Sequence, residues 1–171
     1  MSFNIEKLWI IGNDVNVTDD NGNTLIHLAV GNGIEELVKM LLQTPGIDVN
    51  LANNEGATPI MMSIHSENLK IVKVLLQVPG IDVNSTDNGC QAPAIMCAVN
   101  TCNEEIVKLL LKVPGINVNV ANNDGTTPIM AAIHNQNLKI VKLLLQVPGI
   151  DVNMTDNSCH TPAIMLSLIH I

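Results

Sequence analysis

Histidine, cysteine and carboxylate are the side chains that could serve here as nucleophile, general base or metal ligand, and their spacing decides which of those roles is open. His65 and His134 stand 69 residues apart in equivalent surroundings. Neither has a Cys, Asp or Ser at a catalytic or ligand spacing, so both read as surface residues. The four cysteines are Cys90, Cys97, Cys102 and Cys159. They make no Cys-x-x-Cys pair and no Cys/His zinc pattern, which leaves free, reduced thiols of an intracellular protein. Cys159 and His160 adjoin in sequence, but adjacency does not build a nucleophile pair. Gly31-Asn32-Gly33 lacks a third Gly and follows no strand, so it reads as a helix break and not a nucleotide loop. Glu35/Glu36 and Glu104/Glu105 open apolar-periodic segments, where negative charge complements a helix dipole. No constellation reads as an enzyme site: the expectation is no catalysis, no cofactor and no metal.

Composition narrows the remaining classes. Apolar residues make up 47% of 171, with one Phe, one Trp and no Tyr. The core must therefore be Ile, Leu, Val, Met and Ala, and the aromatic anchors of many binding hot spots are nearly absent. Net charge is −8, with eight Lys and no Arg. That argues against nucleic acid, which needs a basic stripe, and admits a basic protein partner. No run of 18 apolar residues exists, so no membrane span is expected. The N-terminus lacks a basic region followed by an apolar block, so no secretory signal is read.

The elements that would position any site are set by a repeat. Gly80-Ile81-Asp82-Val83-Asn84 recurs as Gly46-Ile47-Asp48-Val49-Asn50, Gly115-Ile116-Asn117-Val118-Asn119 and Gly149-Ile150-Asp151-Val152-Asn153, with a worn copy at Asn13-Asp14-Val15-Asn16. Successive Val-Asn pairs lie 34, 34, 35 and 34 residues apart. A period of this length means one supersecondary unit stacked several times. Within a unit, a turn such as Asp19-Asp20-Asn21-Gly22-Asn23 precedes a helix opened by Thr24, which can cap it. A second helix follows from Ile34 to Leu42, and Pro45-Gly46 is expected to end it. Residues 5–11 read as a lone second helix, an N-terminal cap. A longer period is superposed: residues 51–84 match 120–153 at 26 of 34 positions. The unit of duplication is thus a pair.

Turn, helix, helix and link in this order resemble the ankyrin repeat family. Its Thr-Pro-Leu-His-x-Ala pattern is matched by Thr24–Ala29, Thr58–Ser63 and Thr127–Ala132, and more weakly by Ala92–Cys97 and Thr161–Leu166. The second-helix pattern Ile-Val-Lys-x-Leu-Leu stands at 71–76, 106–111 and 140–145. The resemblance implies an all-α solenoid of stacked helix-turn-helix units with β-hairpin-like connecting loops, of about 4.5 repeats. The units are read as a cap at 1–16, repeats at 17–50, 51–84, 85–119 and 120–153, and a truncated repeat at 154–171. Three departures stand out. These units are longer than the usual 33 residues, the extra residue lying at the second-helix exit. In 85–119 the turn Gly moves to Gly89 and Cys90 takes its slot. The motif His survives only as His27, replaced by Met61, Met96, Met130 and Met165 in a buried strip.

Function follows from the same resemblance: a protein–protein interaction scaffold, monomeric and cytoplasmic, binding through hairpin tips and the concave helix face. The positions are Asp20, Asn21, Asn23 and Asn32; Asn54, Glu55, Ala57, His65 and Ser66; Asn88, Gln91, Asn100 and Thr101; and Asn123, Asp124, Thr126, His134 and Asn135. The Asn of each Val-Asn pair is read first as satisfying turn backbone groups. In the family such residues can be hydroxylated, which would name Asn50, Asn84, Asn119 and Asn153. The segment 166–171 resembles read-through of a sequencing adaptor, so the chain is expected to be cut from a longer array. The competing reading is the targeting segment of a larger enzyme or host-directed effector.

Overall fold

The computed structural model describes residues 14–157 and 162. Within them lie α1 (Leu25–Gly31), α2 (Glu35–Leu42), α3 (Pro59–His65), α4 (Leu69–Leu75), α5 (Ala94–Asn100), α6 (Glu104–Leu110), α7 (Pro128–His134) and α8 (Leu138–Leu145). Residues 5–11, Cys159, His160, Met165 and 166–171, for which sequence expectations were made, lie outside the described residues. Each helix is only two turns long and could not persist alone in water. Stability comes from stacking. α1, α3, α5 and α7 pack successively into an inner layer, α2, α4, α6 and α8 into an outer one, and each inner helix packs on the outer helix that follows it.

The sequence divides the two layers cleanly. Inner helices are small and apolar nearly all round: in α5, every residue from Ala94 to Val99 is buried. Outer helices are one-sided. In α4, Ile71, Val72 and Leu75 are buried while Lys70 and Lys73 face water. The core is therefore a strip running the length of the array, as in other solenoids.

Each junction is specified locally. Between the paired helices one residue is left-handed: Gly33 (φ +67°), Glu67 (+51°), Cys102 (+56°) and Gln136 (+55°). The next residue caps the outer helix. Asn68, Asn103 and Asn137 accept from the N–H groups of Ile71, Ile106 and Ile140 at 3.2, 3.2 and 3.1 Å. In the first pair Ile34 takes this place, offers no cap, and is 45% exposed. His65 and His134 are the last residues of α3 and α7, inside the helices and not just past them.

Two expectations change. α2 stops at Leu42, before Pro45-Gly46. Thr44-Pro45-Gly46-Ile47 is a separate turn, closed by Ile47 N–H to the Thr44 carbonyl at 3.3 Å with Gly46 at φ +80°. The Pro-then-Gly order suits a type II turn. Second, the motif in 85–119 is shifted by one residue. Pro93, not Ala92, holds the N-cap place of Thr58, since Cys97 N–H bonds the Pro93 carbonyl as Met62 N–H bonds that of Thr58. Met96 thereby falls in line with Met61. The extra residue sits in the hairpin, which closes from Asp87 N–H to Ala92 O where its neighbour closes from Asn53 to Ala57. The left-handed slot of Gly56 (φ +76°) passes to Gln91 (φ +54°), not to Cys90.

Candidate functional site

Two columns of asparagine run along the edge where the units meet. The first is formed by the Val-Asn pairs. Asn16 donates its amide to the Gly46 carbonyl at 2.8 Å and accepts from Asp48 N–H at 2.9 Å. Asn50 does the same to Gly80 and Asp82, both at 2.8 Å. Asn84 reaches Gly115 and Asn117, each at 2.9 Å, and Asn119 reaches Gly149 and Asp151 at 2.8 and 2.9 Å. Each amide thus satisfies a donor and an acceptor of the following unit. The expected role in turn backbone groups holds, but the groups belong to the next link.

The second column joins the hairpin tips. Asn54 donates its backbone N–H to the Asn21 carbonyl and its amide to that of Asp20, both at 3.0 Å. Asn88 bridges to Glu55 and Asn54, Asn123 to Cys90 and Gly89, and Asn157 to Asp124 and Asn123. The tips approach so closely that a Cβ on Gly56 would sit 2.5 Å from Asn88 N. Glycine is needed there for closeness as well as for φ.

These contacts sort the residues proposed for binding. Asn54, Asn88 and Asn123 hold neighbouring tips together. Asn23 bonds Asp19 and Asn53, Asn32 bonds the Leu28 carbonyl, and Asn135 reaches back to Val99. Ser66 and Thr101 bond carbonyls of their own helices. Ala57 and Thr126 are half-buried, and the Ala57 carbonyl receives His27 Nε2 at 3.1 Å. The exposed side chains left outward are Asp20, Asn21, Glu55, Gln91 and Asp124 at the tips, with His65, Asn100 and His134 at the inner-helix ends. Cys90, exposed and aligned with Glu55 and Asp124, belongs with them. Sequence reading missed it because the extra hairpin residue conceals the alignment.

Chemistry at these positions is restrained. Cys90 Sγ lies 3.7 Å from the Asp87 carboxylate; partial burial and that charge raise its pKa. Burial pushes the Cys97 thiol up to about 12, so neither is an activated nucleophile. Asp19 is held below its ordinary value by backbone N–H donation from Asn23. Among the described residues no group of three or more His, Cys, Asp or Glu is arranged to hold a metal.

Under the tips, His27 is fully buried. Its Nδ1 accepts from Thr24 N–H at 3.1 Å and lies 2.8 Å from Thr24 Oγ1, so Nε2 carries the proton and donates to Ala57 of the next unit. Met61, Met96 and Met130 occupy this place in later units, all buried as expected of the methionine strip. A thioether cannot repeat the tie, and Thr58 Oγ1 is a buried hydroxyl without a partner.

Charge is divided between the two sides. The seven described lysines lie on the outer helices or, for Lys112, at an outer-helix exit; the hairpins and links carry only carboxylates, among them Asp20, Asp48, Glu55, Asp82, Asp124 and Asp151. On the outer layer the helix openings alternate: Glu35/Glu36, Lys70, Glu104/Glu105, Lys139. Ion pairs tie consecutive outer helices, Lys70–Glu35 at 3.9 Å, Lys73–Glu105 at 3.1 Å and Lys139–Glu104 at 3.1 Å. The pairwise duplication read in the sequence produces this alternation.

Comparison with known proteins agrees with the geometry. A family profile described as ankyrin repeats in three copies matches residues 2–87 and again 80–156. Among solved structures, the ankyrin repeat domain of Bcl-3, a protein titled a unique member of the IκB family, superposes with a TM-score of 0.81. It is 25% identical, over 91% of this chain and 68% of that one. No match was found among curated proteins. With its helix pairs, links and tips in phase and the family profile covering nearly its whole length, the chain belongs to the ankyrin repeat family.

Proposed function

We propose that this chain is a non-catalytic scaffold that binds a basic protein segment along its hairpin tips and inner-helix ends. Ankyrin repeats generally mediate protein–protein interaction, and the observation that carries the finer reading is the charge division. The tip edge presents Asp20, Glu55 and Asp124 with no lysine on any described hairpin. Opposite charge along such an edge would steer a Lys- or Arg-bearing segment toward it and exclude acidic competitors. His65, Asn100 and His134 supply polar contacts beside that line. Taken as units 17–50, 51–84, 85–119 and 120–153, the repeats each offer one tip and one helix end, which favours an extended partner over a compact one. The free thiols of Cys90, Cys97 and Cys102 suit a monomer working in a reducing, cytoplasmic setting.

The test is affinity capture with the native chain beside an Asp20→Lys/Glu55→Lys/Asp124→Lys variant. All three side chains are exposed, so the fold should persist. Loss of the captured partners supports the reading, and an unchanged partner list defeats it. Rising salt should weaken capture, because exposed charges are screened within about 10 Å at 0.1 M.

A further inference from the structure

We infer that the outer layer carries a second docking surface, at the exits of α4, α6 and α8, and that it takes an extended acidic peptide bearing apolar side chains. Two neighbouring open clefts of about 400 and 340 Å³ lie there, one between the ends of α4 and α6, the other between α6 and α8. Their walls are half-buried apolar residues, Leu76, Leu109 and Val113 in the first and Leu111, Leu143 and Val147 in the second. Lys112 lines both, and Lys108 lines the second.

The charges around the clefts indicate the occupant. All four outer-helix carboxylates, Glu35, Glu36, Glu104 and Glu105, are already within ion-pair distance of Lys39, Lys70, Lys73 or Lys139. Lys108, Lys112 and Lys142 have no carboxylate within 4.0 Å among the described residues. In a chain of net charge −8, two of these three unpaired cations, Lys108 and Lys112, thus line the clefts, and Lys73, paired with Glu105, lines the first. An acidic segment complements them, and apolar side chains on it would fill the clefts. A lipid surface fits less well: the apolar groups line concavities instead of protruding, and the net charge repels an anionic bilayer. This surface lies apart from the tip edge and selects the opposite charge, so the two sites can fail separately.

The experiment uses fluorescence anisotropy of the full chain with a labelled peptide of alternating Leu and Glu, about twelve residues long and so able to extend over about 40 Å. A Leu/Lys peptide and phosphatidylserine vesicles are the comparisons. Binding of the Leu/Glu peptide is expected, weakened about tenfold by Lys108→Glu/Lys112→Glu and less by Lys108→Gln/Lys112→Gln, whereas any binding of the Leu/Lys peptide should depend on the tip carboxylates and not on these lysines. Both lysines are exposed, and an unchanged circular dichroism melt would show that loss is not unfolding. The tip variant Asp20→Lys/Glu55→Lys/Asp124→Lys should bind the Leu/Glu peptide as the native chain does. No binding of the Leu/Glu peptide, indifference of that binding to the Lys108/Lys112 variants, capture of vesicles without peptide, or loss of the Leu/Glu peptide only in the tip variant would each overturn the inference.

Discussion

The side-chain amide of Asn50 spans the boundary to the next unit, donating to the Gly80 carbonyl and accepting from Asp82 N–H, each at 2.8 Å. Truncating it leaves one donor and one acceptor of a folded link without their protein partner. Asn50→Ala is expected to cost about 2 kcal/mol, since each net hydrogen bond contributes about 1 kcal/mol. Urea denaturation measures this through the midpoint, and an unmoved midpoint would refute the structural role of the clamp.

Thr58 and Met61 form the mismatched counterpart of Thr24 and His27. The Thr58 hydroxyl is buried and has no partner. Thr58→Val keeps the shape and removes the orphan, so it should stabilise by about 1 kcal/mol. Met61→His should also stabilise by restoring the acceptor. A lower melting temperature for Thr58→Val would show instead that the hydroxyl is hydrogen-bonded in the folded chain.

His27 makes stability depend on pH. Burial holds its pKa below the ordinary 6.5, with the Ala57 carbonyl opposing that shift. The unfolded chain therefore binds a proton at a higher pH than the folded chain does. Stability from the neutral ring is full above about pH 6.5 and falls as pH drops below it. His27→Met, the residue used in later units, should flatten the stability profile between pH 7 and the acid limb set by carboxylates. An identical profile in the variant would remove His27 as the cause.

The junction at Ile34 is the one described outer helix without an asparagine cap. Ile34→Asn should add about 1 kcal/mol by supplying that cap and withdrawing an exposed apolar side chain. Gln136→Gly should add a similar amount, because its left-handed φ of +55° burdens any residue with a Cβ. Thermal melts of both variants give the answer, and a lower midpoint in either would disprove the local argument.

Much of the fold was legible because the repeat states it several times. The Val-Asn spacing located the links, and Asn68, Asn103 and Asn137 mark outer-helix starts in every unit that has them. What escaped was direction and single-residue phase. An asparagine that holds its own turn and one that reaches the next unit have the same local sequence. In 85–119, Cys90 takes the glycine slot in the sequence, yet Gln91 adopts the left-handed conformation because the inserted residue lengthens the hairpin. The same insertion slid the Ala92-Pro93 motif by one and hid Cys90 from the tip column. The proposed binding face was legible only as a list of outward positions. Three of its eight asparagines, Asn54, Asn88 and Asn123, are committed to neighbouring tips, which depends on contacts between units.

The four described Val-Asn clamps, at Asn16, Asn50, Asn84 and Asn119, all point one way, from each unit into its successor. Cutting one amide therefore slackens a single seam and leaves every other fastening intact. A designer could choose where the rod parts under load, turning a uniform array into two blocks with a fracture line at Asn50, Asn84 or Asn119.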